Sequence, residues 1–333
     1  MRKLLLPFVG VVAVSMVICT GCQKKQQTLY VYSIIHDEET RALTELFTAQ
    51  TGIPVSYIRA TTGELVNRVI AEKEKPQADI LLGGASSYHI QAAAAGALEP
   101  YTSPVAEHIP AYAKAADGSW TGFCVLTLGI GVNTTRFQSR FPDIAVPRTW
   151  DDLLNPAFKG EIVMTDPVVS STAYLFLQGQ LQRLGEDEGW RYLLAMAQNV
   201  GQFPDSGSAP PKLIGTGEYA IGVAYLHALA KYRSLGFDIQ LVAPPQSVGD
   251  VDAIAITKGA PHLAEARRFV DFMLGKEAQE LMSRIDFTIL VNPDAEPVAG
   301  SIPIADIDLI EYDTQTASDQ RQEVLDRWTQ QVR

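Results

Sequence analysis

Two long β-type runs constrain this chain more than any other feature. They are Thr121–Asn133 (Thr-Gly-Phe-Cys-Val-Leu-Thr-Leu-Gly-Ile-Gly-Val-Asn) and Val251–Thr257 (Val-Asp-Ala-Ile-Ala-Ile-Thr). Before the first run, short apolar strands alternate with helical patterns. Thr28–Ser33 reads as a strand, 38–51 as a helix with Leu43, Leu46 and Phe47 on one face, and Gly52–Ile58 as a second strand. A helix over 63–73, a strand over Ala78–Leu82 ending at Gly83-Gly84, and a helix from near Ser87 to Ala95 follow. Between the two runs the alternation starts afresh, with Glu161–Met164, helices around 172–184 and 188–198, and Tyr219–Ala224. Strands alternating with helices imply βαβ units and a mostly parallel sheet. Two extended segments that bracket such a block predict two α/β lobes joined by a two-crossover hinge. The first lobe is then discontinuous, 28–124 plus 252–333, and the second is 125–251. The chain's 333 residues suffice for both. A final helical pattern over 316–332 is expected to dock on the first lobe through Leu325 and Trp328.

The first residues carry a second strong signal. Arg2 and Lys3 precede an apolar run from Leu4 to Ile18, too short and one-sidedly flanked for a membrane span but suited to a secretory signal. The run stops at Cys19-Thr20-Gly21-Cys22, which resembles a bacterial lipobox, with Cys19 where leucine is usual. The expectation is a signal peptide over 1–21, lipid on Cys22, a polar tether over 22–27, and a protein held outside the cytoplasm on the bacterial membrane. Removing Arg2 and Lys3 would take the net charge from -11 to -13. Only Cys124 then remains as a thiol, so neither an internal disulfide nor a cysteine zinc site is possible. Its apolar neighbours mark it as a buried small hydrophobe. The acidic balance and the lack of any long Lys/Arg run exclude a nucleic-acid partner.

Open parallel sheets bind ligands where loops and helix N-termini gather at the strand ends. The candidates there are Ser33 and His36, Thr62, Gly84 and Ser86, Ser170-Ser171-Thr172, Ser206 and Ser208. Hydroxyls and free backbone N–H groups at helix starts hold phosphate, phosphonate or carboxylate without a lysine. The same residues are also ordinary helix caps. Tyr225 and His227 follow the strand Ile221–Ala224, and with His36 they could ligate ferric iron, since phenolate is a hard anionic donor. The alternative is that Tyr225 packs on ligand or core while both histidines are polar loop residues.

The ordered landmarks resemble those of periplasmic-binding-protein-like (type II) substrate-binding proteins, in the branch covering ferric iron, thiamine and phosphonate or sugar-phosphate uptake. They include Leu29-Tyr30-Val31-Tyr32-Ser33, Thr51-Gly52-Ile53-Pro54-Val55, Ala78-Asp79-Ile80, Gly96-Ala97-Leu98-Glu99-Pro100-Tyr101 and Thr149-Trp150-Asp151-Asp152-Leu153. Pro156-Ala157-Phe158-Lys159-Gly160, Gly217-Glu218-Tyr219-Ala220-Ile221-Gly222 and the stretch Ala260–Phe272 complete the set. The resemblance implies a monomer that clamps a small molecule or metal ion between its lobes, without a cofactor or chemistry of its own. It also implies delivery to an ABC permease and ATPase. Iron-binding members often carry adjacent tyrosines where this chain has Tyr225-Leu226-His227, although His36 falls where some of them place a histidine. The Ser170–Thr172 and Ser206–Ser208 loops look more like members that bind phosphonate or phosphorylated organic solutes. A secreted hydrolase is disfavoured: Gly-x-Ser-x-Gly, His-Glu-x-x-His and Cys/His metal spacings are all missing.

Overall fold

The computed structural model describes residues 27–332, so the signal segment, Cys22 and most of the tether lie outside the described residues. Leu29–Ser33 (β1) leads into Asp37–Thr51 (α1), Val55–Arg59 (β2), Thr62–Ala71 (α2), Ile80–Ala85 (β3), Ser86–Ala94 (α3) and the short Leu98–Glu99 (β4). Thr121–Val132 (β5) carries the chain onward to Thr134–Arg140 (α4), Ile162–Val163 (β6), Ser171–Leu184 (α5), Glu186–Ala197 (α6) and Val200–Gln202 (β7). Ala209–Gly215 (α7), Ile221–Tyr225 (β8), Leu226–Ser234 (α8) and Gln240–Val242 (β9) complete that block. Gly249–Thr257 (β10) returns to Leu263–Leu274 (α9), Lys276–Asp286 (α10) and Ile289–Leu290 (β11), and the chain closes with Thr314–Asp319 (α11) and Arg321–Val332 (α12). Among the described residues no helix is long and apolar enough to cross a membrane.

The strands hydrogen-bond in the order β2-β1-β3-β10-β5-β8-β6-β7, with β4 on β10 and both β9 and β11 on β5. The flanks are parallel, β2-β1-β3 on one side and β8-β6-β7 on the other. Antiparallel β10 and β5 join them. The two long β-type runs are these joining strands. All twelve residues of β5 are buried, and its partners change along its length. Thr121–Thr127 pairs with β10, whereas Leu128–Val132 pairs with β8 and β9. This is the two-lobed α/β fold that the alternation of strands and helices predicts.

Close packing on β5 demands small residues: a Cβ at Gly129 would lie 2.0 Å from Leu226 Cδ2 and 2.7 Å from the Val242 carbonyl oxygen. On the first flank, Phe47 of α1 meets Phe269 of α9 edge-on at 5.0 Å. On the second, Trp150 meets Phe176 of α5 at 5.2 Å. The C-terminal pattern departs from expectation twice. Asp313 caps the start of α11 by accepting from the Thr316 N–H at 2.9 Å, and the pattern then breaks at Gln320, after which α12 starts anew. Trp328 then packs edge-on against Phe203 at 5.8 Å, and Arg327 covers the Trp190 ring at 4.4 Å. The helix therefore lies on the β5–β8 half, not on the first lobe. A stripe such as Val324/Trp328 shows that a helix has a face to bury, not which surface receives it.

Candidate functional site

The first half contributes a tight turn after β3. Gly83 and Gly84 have φ of 88° and 87°, and a Cβ on Gly83 would fall 2.7 Å from Ile35 Cγ2. His89 is fully buried below the turn, and its Nε2–H donates to the Gly83 carbonyl at 2.9 Å. Burial pushes its pKa down to about 4, so the ring is a neutral prop. Thr62 borders the same turn, its Cγ2 3.0 Å from where a Gly84 Cβ would sit. Ser86 donates to Asp250 Oδ1 at 2.5 Å. His36 is exposed at the start of α1. Ser33 is fully buried, and its Oγ lies 2.7 Å from Thr40 Oγ1, which engages that hydroxyl inside the lobe.

The second half contributes the start of α5. Ser170 occupies the N-cap position, Ser171 is exposed, and Thr172 is buried. The Tyr225 phenol, at the end of β8, faces Thr172 and Ser171; burial pushes its pKa up and outweighs their hydroxyls, which lower it. The Ser206-Gly207-Ser208 turn rests on the same helix start. A Cβ on Gly207 would lie 2.7 Å from Thr172 Oγ1 and 3.1 Å from Ser170 Oγ. Ser206 and Ser208 hydroxyls are exposed and 2.9 Å apart. The His227 ring stacks on Tyr225 with centroids 5.3 Å apart, and its buried Nδ1 has no partner among the described residues. Burial lowers the His227 pKa; Asp286, whose Oδ2 lies 3.8 Å from Nε2, opposes this, and the His36 charge lowers it further.

The crossover strand β10 links the two groups. Asp252 accepts a hydrogen bond from the Gly84 backbone, and Asp250 holds Ser86. Burial raises Asp250 to about 6, and burial together with the Asp250 charge raises Asp252 to about 7. Both carboxylates also raise the Tyr225 phenol, which puts them electrostatically close to the second half. Glu39, in the first turn of α1, is buried and likewise raised, by desolvation and then by Asp286 and Asp252. Between the halves Lys231 Nζ meets Asp286 Oδ1 at 2.7 Å.

Ser86 and Gly84 are thus tied to Asp250 and Asp252, whose charges reach Tyr225, and the His36 charge reaches His227, while the Ser206–Ser208 turn borders the start of α5. Glu39, Asp250 and Asp252 are additions that sequence reasoning missed. A lone Asp within the apolar run Val251-Asp252-Ala253 was the available signal. Among the described residues no group of three or more His, Cys, Asp or Glu is arranged to hold a metal ion. A cavity of about 270 Å³ lies elsewhere, among residues such as Gln182, Trp190, Gln320 and Arg327 of α5, α6 and α12.

Residues 75–302 match the family described as bacterial extracellular solute-binding protein. An uncharacterised protein of Haemophilus influenzae is 33% identical over 94% of this chain and 93% of its own. A periplasmic protein of Salmonella typhimurium named for 2-aminoethylphosphonate binding is 26% identical over 82% of this chain and 81% of its own. The periplasmic binding protein AfuA of Actinobacillus pleuropneumoniae, solved with fructose-6-phosphate, superposes with a TM-score of 0.82 at 30% identity, covering 92% of this chain and 98% of that one. With the fold, the crossovers and the matched span in agreement, the chain belongs to the bacterial extracellular solute-binding proteins.

Proposed function

We propose that this chain is the lipid-anchored, extracytoplasmic binding component of an ABC importer and holds a small anionic solute, a phosphonate or phosphorylated organic compound, between its lobes. The observation that carries this reading is the approach of the Ser170–Thr172/Tyr225 group to the Gly84–Ser86 turn across Asp250 and Asp252. Hydroxyls and backbone N–H groups at the starts of α3 and α5 suit phosphoryl oxygens, because helix N-termini carry partial positive charge. The lobes are 28–124 with 252–333, and 125–251, with α12 packed against the second. Solute docks on one lobe and the other closes over it, as hinged binders do. The closed form is what permease and ATPase subunits receive, and lipid on Cys22 keeps the protein at the membrane. The names of the Salmonella relative and the AfuA complex support a phosphoryl group as the shared feature of the solute.

Calorimetry on the Ser171→Ala/Ser206→Ala double variant tests this reading. Affinity for 2-aminoethylphosphonate or fructose 6-phosphate should fall by about 2 kcal/mol or more, the scale of two charge-assisted hydrogen bonds. Unchanged affinity would remove the anion reading. Tyr225 stacked on His227 beside His36 favours ferric iron as the second reading. A visible charge-transfer band on adding ferric citrate would promote it.

A further inference from the structure

The family match ends at residue 302, yet the chain continues through α11 and α12. This segment does not simply decorate one lobe. At Ser247 it adds a parallel bridge to Leu309, and the Ser247 N–H donates to the Asp308 carbonyl at 2.9 Å. α11 packs on α3 of the first half. The Tyr174 hydroxyl of α5, in the second half, donates to the Ala317 carbonyl at 2.5 Å.

Arg321, the first residue of α12, ends up between the two halves. Its Cζ lies 4.3 Å from the centre of the Tyr174 ring and 5.7 Å from that of Tyr88. Tyr88 stands two residues after Ser86, and Tyr174 two after Thr172, so the guanidinium is held beside the helix starts that bear the candidate hydroxyls. Among the described residues Arg321 makes no ion pair and no side-chain hydrogen bond, so the donors of its half-buried guanidinium have no protein acceptor. A bound anion would supply one. The half-buried Tyr312 completes this end of the site: electrostatically it is close to Asp250, Tyr174, Tyr225 and Arg321, and its hydroxyl has no hydrogen-bond partner among the described residues.

We propose that the C-terminal segment is a working part of the binding site, in which Arg321 contacts the anionic group of the solute and Tyr312 closes that end of the cleft. The inference rests on the anionic-solute reading above and adds to it a charged, specificity-determining residue outside the matched family span. Cation–π contact with Tyr174 and Tyr88 holds the guanidinium beside α3 and α5, and its planar fork of donors suits phosphoryl oxygens. Arg321 also holds α3 and α5 together through both rings, and the test must separate that bracing from contact.

Titration calorimetry of wild type, Arg321→Ala, Arg321→Lys and Tyr312→Phe, using inorganic phosphate, 2-aminoethylphosphonate and fructose 6-phosphate at low and high NaCl, makes the separation. Wild type should bind at least one probe, more weakly as salt rises, because salt screens the guanidinium. Arg321→Ala should lose about tenfold or more in affinity and much of the salt dependence. Arg321→Lys should keep the salt dependence with part of the affinity, and Tyr312→Phe should bind more weakly than wild type. Unaltered affinity in Arg321→Ala overturns the inference while leaving the anion reading intact. So does reduced affinity with wild-type salt dependence, the mark of a brace. Wild type that binds none of the probes overturns both. Thermal melts of each variant identify any that fail to fold, and Arg321→Lys, which keeps size and charge, then decides the case.

Discussion

Asp252 shows most clearly how this molecule departs from what its sequence displays. In an apolar run it looks like a strand residue pointing to solvent, but the fold brings Gly84, Cys124 and the charges of Asp250 and Asp286 around it. Burial lifts its pKa to about 7, from an ordinary aspartate value of about 3.9 in the unfolded chain. The folded protein therefore binds more protons than the unfolded chain between those values, and stability falls as pH rises through them. Asp250, raised to about 6, and Glu39 act in the same direction. Asp252→Asn removes one such group. Its thermal midpoint should exceed that of wild type by a few degrees at pH 8, the gap widening from about pH 4 to about pH 7. A gap independent of pH would show that Asp252 is ionised throughout. Thr62, Ser86, Thr172 and Tyr225 were legible as candidates because turn-prone hydroxyls after apolar strands mark strand ends. Ser33 fits the same rule, yet its hydroxyl is engaged by Thr40. A strand-end serine reveals its position, not its partner, and Asp250, Glu39 and Arg321 acquire meaning only through contacts more than a hundred residues away in the chain or across a helix face.

Among the elements, β5 and β10 were readable from composition because a strand buried on both faces needs a mostly apolar run, which Asp252 alone interrupts within Val251–Thr257. The N-terminal helices were readable for a related reason: α1 shows its Leu43/Phe47 face and stops at Gly52, whose φ is 72°. The C-terminal pair was harder. Gln320 carries no Gly or Pro signal, and α11 starts at Thr314, two residues before the pattern, because Asp313 caps it from the preceding loop. The docking of α12 on the second half gives a direct prediction. Trp328 is 1% exposed against Phe203, so Trp328→Ala should cost about 3–5 kcal/mol in urea denaturation. Leu325→Ala, at a partly buried position, should cost clearly less. Equal, small losses for both would mean that α12 is not seated where Trp328 places it.

At the scale of the whole molecule, two parallel-flanked halves share a sheet through β5 and β10, and the cleft groups lie along that join. Lys231–Asp286 ties α8 to α10 across the halves, and Arg321 sits between the rings of α3 and α5. The lobe plan was visible in the alternation of strands and helices. How the hydroxyl-bearing turns of the two halves face one another was not, because it depends on how the crossovers orient one half against the other. A crystal structure of the protein grown with fructose 6-phosphate or 2-aminoethylphosphonate tests the central claim most directly. The phosphoryl or phosphonyl group should appear between the Gly84–Ser86 turn and the Ser170–Thr172 helix start, within hydrogen-bond reach of Arg321. Ligand density in the outer cavity beside Trp190, or an empty cleft in crystals saturated with both compounds, would contradict it.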